Sequence, residues 1–195
     1  MPKTQTTKAH EFLLEASKSK RPEVHDLILS NGKVKLVTNP EPDLFKFLAR
    51  TIVGQQLSTK AARSIWTKIE DRARQKRCKS LESFFKPKFE SDIRECGISK
   101  NKIRALSELN AAFTANELSA EILKESNYPE LVDRITAIWG LGVWSADMCA
   151  MFYCQMPDVF PIGDLAIQQG IQKLCGGRTK PENIAKHFTP YRSYF

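Results

Sequence analysis

Five residues, Trp139-Gly140-Leu141-Gly142-Val143, separate two stretches of helix-period apolar residues. A connection this short joins helix to helix directly, and its glycines can take positive φ and let a ligand approach the backbone. A helix starting at Val143 or Trp144 leaves unpaired N–H groups in its first turn. With glycines giving access, these groups can hold a phosphate without reading its base. Most tight glycine connections between helices are structural, so this signal depends on its surroundings. It is not a dinucleotide-binding fingerprint, because Ser145 stands in the third glycine's place and a helix precedes it rather than a strand.

The same period runs through the rest of the chain. Apolar residues recur at three- and four-residue spacing, with no convincing set of alternating strands. Leu44, Phe45, Phe47, Leu48, Ile52 and Val53 predict a helix capped by Asp43 and ended near Gly54. Ser58 caps the next, with Ala61, Ala62, Ile65, Trp66 and Ile69 inward and Lys60, Arg63, Lys68 and Arg72 outward. Windows follow over 100–113, with Ile103, Leu106, Leu109 and Phe113 inward, and over 129–138, with Leu131, Ile135 and Ile138 inward. Pro129 suits a first helical turn. The 144–153 window is apolar nearly all round and predicts a central buried helix, and 164–174 resumes after a loop. Residues 34–37 form at most one short extended piece, and the polar N-terminal tail is expected to be mobile. The expected class is all-α.

A chain of 195 residues can build its own core without a disulfide or metal staple. No apolar run nears the roughly 18 residues of a membrane helix. The first ten residues lack the apolar core of a secretory signal, so an intracellular location is expected. Cys78, Cys96, Cys149, Cys154 and Cys175 form no CxxC pair and read as reduced thiols, and His10, His25 and His187 are equally scattered. No zinc site or iron–sulfur cluster is therefore expected. The net charge of +8 is uneven: residues 60–104 carry 14 Lys or Arg against six Asp or Glu, which is the whole excess. Such a surplus suits a polyanionic partner, since each neutralised phosphate releases counterions; a solvated lysine-rich face would look the same.

Four ordered stretches carry a more specific signal: Ile52-Val53-Gly54-Gln55-Gln56-Leu57-Ser58-Thr59-Lys60, Cys96-Gly97-Ile98-Ser99-Lys100-Asn101-Lys102-Ile103, Ile138-Trp139-Gly140-Leu141-Gly142-Val143-Trp144-Ser145-Ala146-Asp147, and Asp158-Val159-Phe160-Pro161-Ile162-Gly163-Asp164-Leu165. Together they resemble the helix-hairpin-helix DNA glycosylase superfamily, in its alkylpurine (3-methyladenine) branch. The likeness runs from about Leu44 to Phe195.

The resemblance implies two helical lobes with a lesion cleft between them. Residues 56–164 would form a central lobe containing the helix-hairpin-helix. Residues 41–55 and 165–195 would combine in the other, with 1–40 a partly mobile N-terminal extension. It also implies that Asp164 is the catalytic residue. Breaking an N-glycosidic bond builds positive charge on the deoxyribose, which a fixed carboxylate stabilises. An alkylated purine is already a good leaving group, so one carboxylate can suffice. The structural alternative for Asp164 is a helix N-cap, and both roles can hold together. Asp158 is expected to be exposed in a loop, and Asp147 to be a structural first-turn acid matched to the helix dipole.

Bifunctional members of the superfamily carry a lysine where this chain has Trp144. An indole cannot form a Schiff base, so lyase chemistry is not expected. By the same resemblance Trp144 stacks on the flipped base, with core packing as the alternative, and Met148 lines the base pocket where some members have a tyrosine. Gln56 and Leu57 form the turn that wedges into DNA, with Gln56 favoured as the wedge. The backbone of Gly140, Leu141, Gly142 and Trp144, with Ser58, Lys60 and Lys102, is expected at DNA phosphates. Main-chain carbonyls of Thr136, Ile138 and Leu141 are expected to hold a monovalent ion, Na+ or K+, with no other cofactor. The implied activity is excision of alkylated purines from duplex DNA by base flipping and hydrolysis, in base excision repair, by a monomer that meets no membrane. The family's last helix begins at Pro190-Tyr191-Arg192-Ser193-Tyr194-Phe195, where this sequence ends. That ending and Met148 keep a second expectation open, a catalytically weak or inactive paralogue that binds damaged DNA.

Overall fold

Short polar residues immediately ahead of apolar-periodic stretches start most of the helices, as their side chains accept hydrogen bonds from first-turn N–H groups. A computed structural model describes residues 3–36, 42–176 and 179–195. Its α-helices, in chain order, are α1 (Gln5–Lys18), α2 (Pro22–Asn31), α3 (Leu44–Gly54), α4 (Thr59–Gln75), α5 (Leu81–Phe84), α6 (Glu90–Glu95), α7 (Lys100–Thr114), α8 (Ala120–Glu125), α9 (Tyr128–Thr136), α10 (Val143–Met148), α11 (Leu165–Cys175) and α12 (Pro181–Ala185). Asp43 caps α3 through Lys46 N–H at 3.1 Å, and Ser58 caps α4 through Ala61 N–H at 3.2 Å. Residues 34–36 form no strand, nor do any other described residues, and Val37 lies outside the described residues. The fold is all-α.

Contacts divide the chain into two units, Asn39–Cys149 and Met1–Thr38 with Ala150–Phe195. In the first, α3 packs against α4 and α7, and α9 against α10. Phe45, Leu48 and Ile52 of α3 and Leu106 and Leu109 of α7 are fully buried, and the Phe45 and Phe113 rings meet edge-on at 5.3 Å. Residues 42–55, expected beside 165–195, therefore belong with the central helices, because the apolar face of α3 is completed by α4 and α7, whereas 150–164, expected in the central lobe, fall in the other unit.

In the second unit, Ala9 and Leu13 of α1 and Val24 of α2 share a buried cluster with Ile171, Ile184, Phe188 and Tyr194. The N-terminal extension is thus helical and packed rather than mobile over its described part. Positions 9, 13 and 16 supply one helix face, and α1 caps itself through Thr4.

The 144–153 window also differs from a uniformly buried helix. α10 passes into a π-helical stretch at Cys149–Tyr153, and Val143 and Trp144 are exposed while Ser145, Ala146, Asp147 and Cys149 are buried. The helix starts at the surface, on the hairpin, and only its later residues enter the core. None of the five cysteines, all among the described residues, is in a disulfide. Among the described residues no helix is long and apolar enough to cross a membrane, and no group of three or more His, Cys, Asp or Glu could hold a metal ion.

Candidate nucleic-acid interface and catalytic carboxylate

The two hairpin glycines serve different needs. Gly140 has φ +90°, and a Cβ there would come within 2.5 Å of the Ala105 Cβ, so both conformation and packing against α7 demand glycine. Gly142 has φ −110°, which any residue adopts, and a Cβ there would meet nothing within 4 Å. The fold does not require glycine at 142, and the backbone there faces open space. The turn is closed by Leu141 N–H donating to the Ile138 carbonyl at 3.0 Å. Behind it, Asn127 and Glu130 form a capping box that starts α9.

Asp147 is a buried structural acid near the start of α10. It is 1% exposed, and its Oδ1 accepts the Tyr128 hydroxyl at 2.5 Å, tying α10 to α9. Burial pushes its carboxyl above the usual carboxylate range, opposed by the Tyr128 donation.

Gln56, at the expected wedge, follows the C-terminal end of α3. It is exposed and held in the left-handed region at φ +57°, a conformation disfavoured for a residue with a side chain. Leu57 beside it is 39% exposed. Lys102, expected at a phosphate, is placed differently: its Nζ donates to the carbonyls of Val53 at 2.7 Å and Gln55 at 2.9 Å. The carbonyls at the end of α3 have no later helical N–H to accept, so a half-buried ammonium fills that need, and burial lowers the lysine's pKa. Gln55 in turn donates its side-chain amide to the Gly140 carbonyl at 2.9 Å, and the Arg104 guanidinium lies over the Trp139 ring at 4.1 Å. The wedge turn, the start of α7 and the hairpin are thereby brought together.

Ser58 caps α4, and Lys60, Arg63 and Lys68 are exposed on it. Arg72, expected to point outward, instead bridges Asp92 at 2.8 Å and Glu95 at 2.7 Å, while Lys76 also pairs with Asp92 at 2.9 Å. The Lys76 and Arg72 cations hold the Asp92 carboxyl below its usual range. Part of the basic excess is thus internal structure.

Asp164 belongs to the other unit. It caps α11, its Oδ1 accepting Ala166 N–H at 2.9 Å and Ile167 N–H at 3.1 Å, and its own N–H donates to the Pro161 carbonyl at 2.9 Å. Its neighbours Ile162 and Leu165 are exposed at 42% and 70%, so the carboxylate stands on a surface turn of apolar side chains. Asp158 is not a free loop acid: its Oδ1 accepts from Arg192 Nε at 2.7 Å and its Oδ2 from Arg192 Nη2 at 3.0 Å. Trp144 is 37% exposed, and Met148 is half-buried.

Gln55, Tyr128 and Arg104 escaped sequence reasoning because their partners lie far along the chain. The Asn127-x-x-Glu130 box was a readable local signal.

Residues 49–192 match the family model of the HhH-GPD superfamily base excision DNA repair proteins. DNA-3-methyladenine glycosylase of Saccharomyces cerevisiae is 33% identical over 89% of this chain and 60% of its own. DNA-3-methyladenine glycosylase 1 of Schizosaccharomyces pombe is 30% identical over 72% of this chain and 65% of its own. The chain thus spans less than two thirds of the length of these two relatives. The crystal structure of a DNA-3-methyladenine glycosidase from Bacillus halodurans superposes with a TM-score of 0.80 at 28% identity, covering 100% of this chain and 88% of that one. This chain belongs to the HhH-GPD superfamily of base excision DNA repair proteins.

Proposed function

We propose that the chain is a monofunctional DNA glycosylase that excises alkylated purines of the 3-methyladenine type. It would act as a monomer on duplex DNA inside the cell. The observation that carries this reading is Asp164, a carboxylate fixed by two backbone N–H groups on an exposed turn within the matched region. As the bond between the sugar and a cationic base stretches, positive charge moves onto the deoxyribose, and a fixed anion stabilises it without reorganising. The base leaves neutral with the bonding electron pair, and water adds at the sugar carbon and releases a proton. Trp144, 37% exposed, supplies an indole suited to an electron-poor base, and Met148 adds a polarizable apolar side chain. With an indole where bifunctional members have a lysine, the reaction ends at hydrolysis.

The hairpin backbone from Gly140 to Trp144 and the exposed Ser58 and Lys60 are assigned to DNA phosphates. Open space at Gly142 supports the close approach this needs. The main-chain carbonyls of Thr136, Ile138 and Leu141 are assigned to a monovalent cation, Na+ or K+, for which neutral oxygens are suitable donors. An ion there would add positive charge behind the phosphate-binding backbone.

The test is release of methylated bases from alkylated duplex DNA by the chain and by Asp164→Asn. Release that is lost in the variant supports the reading. DNA binding by both proteins with no release by either would make the chain a damage-binding paralogue.

A further inference from the structure

Gln55, Lys102 and Gly140 form a continuous bridge that the glycosylase chemistry does not use. Lys102 Nζ fixes the Val53 and Gln55 carbonyls, the Gln55 side chain fixes the Gly140 carbonyl, and Gly140 packs on Ala105, one turn along α7 from Lys102. The bridge closes on itself: α7 holds the end of α3 with an ammonium and the hairpin with a methyl group. Gln56, with its left-handed backbone, is the next residue after the pinned Gln55.

We propose that Lys102 and Gln55 are positioning residues, a strut that fixes the wedge turn relative to the phosphate-holding hairpin. Gln56 then enters the duplex in register with the phosphate the hairpin grips. This rests on the DNA glycosylase reading and assigns the adjacent glutamines different roles: Gln55 is structural support and Gln56 touches DNA. A wedge must push bases apart against stacking, so a turn free to yield would fold back instead of opening the duplex. Three hydrogen bonds to main-chain carbonyls, two of them from a charged donor, supply that resistance.

The experiment uses a duplex carrying a tetrahydrofuran abasic analogue beside 2-aminopurine, whose fluorescence rises when it is unstacked. This readout requires no base excision, so it remains informative if the chain proves to be only a damage binder. Wild-type protein should raise the fluorescence at saturation, and Gln56→Ala should abolish the rise. Lys102→Met and Gln55→Ala should each lose most of it at saturating protein, and Lys102→Arg should restore part. Their slopes of log affinity against log salt should match wild type, because the strut touches no phosphate. A phosphate contact would instead remove about 0.9 from that slope. A lowered slope in Lys102→Met with the fluorescence rise intact would overturn the strut. If Gln56→Ala retains the rise, the wedge reading fails and the strut falls with it. If Gln56→Ala loses the rise while Gln55→Ala and Lys102→Met keep it, the strut alone is wrong. Should Lys102→Met not fold, Gln55→Ala decides, since it leaves the Lys102 contacts in place.

Discussion

The Asp164 turn and the wedge–hairpin assembly are built by opposite strategies. Asp164 is held by its own helix, through N–H groups two and three residues ahead and the Pro161 carbonyl three residues behind. The wedge turn and hairpin are held by side-chain bonds spanning 47, 49 and 85 residues. A turn held by such local bonds can change its chemistry without changing its shape. A surface assembled from three distant segments keeps its shape only while every link holds. Changing the carboxylate is therefore predicted to disturb the fold less than changing the surface proposed to grip DNA.

The sharpest separation of the two regions is expected from Asp164→Asn. Asparagine caps as well as aspartate, so stability should move by only a few tenths of a kcal/mol. Loss of the anion should lower single-turnover base release by on the order of 100- to 1000-fold. A large drop in melting temperature would show that the turn is not self-contained. The corresponding change in the assembly is Gly140→Ala, which forces a side chain into positive φ and a Cβ to 2.5 Å from Ala105. It should cost about 2–4 kcal/mol in denaturant unfolding. Gly142→Ala should cost less than about 1 kcal/mol, at a cap position with open space, and show its effect in DNA affinity. Equal losses of stability at the two glycines would contradict the division of their roles.

This contrast also explains what the sequence could show. Asp43, Ser58 and Asp164 caps are local, and all three fall where the periodic pattern and short polar residues place them. The apolar spacing of α7 and α9 likewise selects Leu106, Leu109, Leu131 and Ile135, which are buried. Arg72 and Asp158 were misread for one reason. Each is a charged residue whose setting is fixed by a partner on another element, and a sequence window read alone gives a charged side chain to solvent. The N-terminal helices were misread because their apolar positions are few, and their core is completed by residues 171–194.

Asp147 extends the comparison, since it joins the two helices that flank the hairpin. Its folded-state pKa is raised, chiefly by burial, so the native state binds a proton more readily than the unfolded chain. The stability it contributes is complete below the ordinary carboxylate range and is lost as pH rises through the raised value. Urea unfolding of wild type and Asp147→Asn from about pH 4 upward should show wild type losing ground to the variant as pH rises. The opposite slope would mean that the Tyr128 hydrogen bond outweighs burial.

The smallest effects are expected on the basic face of α4, where free and paired cations alternate. Lys60 and Arg63 are exposed, whereas Arg72 is engaged with Asp92 and Glu95. If the exposed pair contacts phosphate, Lys60→Ala and Arg63→Ala should each reduce the salt slope of DNA binding by about 0.9 and weaken affinity a few-fold. Arg72→Met should leave the slope unchanged and lower stability instead, because it strips partners from Asp92. At saturating protein none of the three should slow base release, since steering charge adds to encounter and grip but not to stabilising the sugar cation. A slower chemical step in Lys60→Ala would mean that this face helps to set the geometry of the reacting nucleotide.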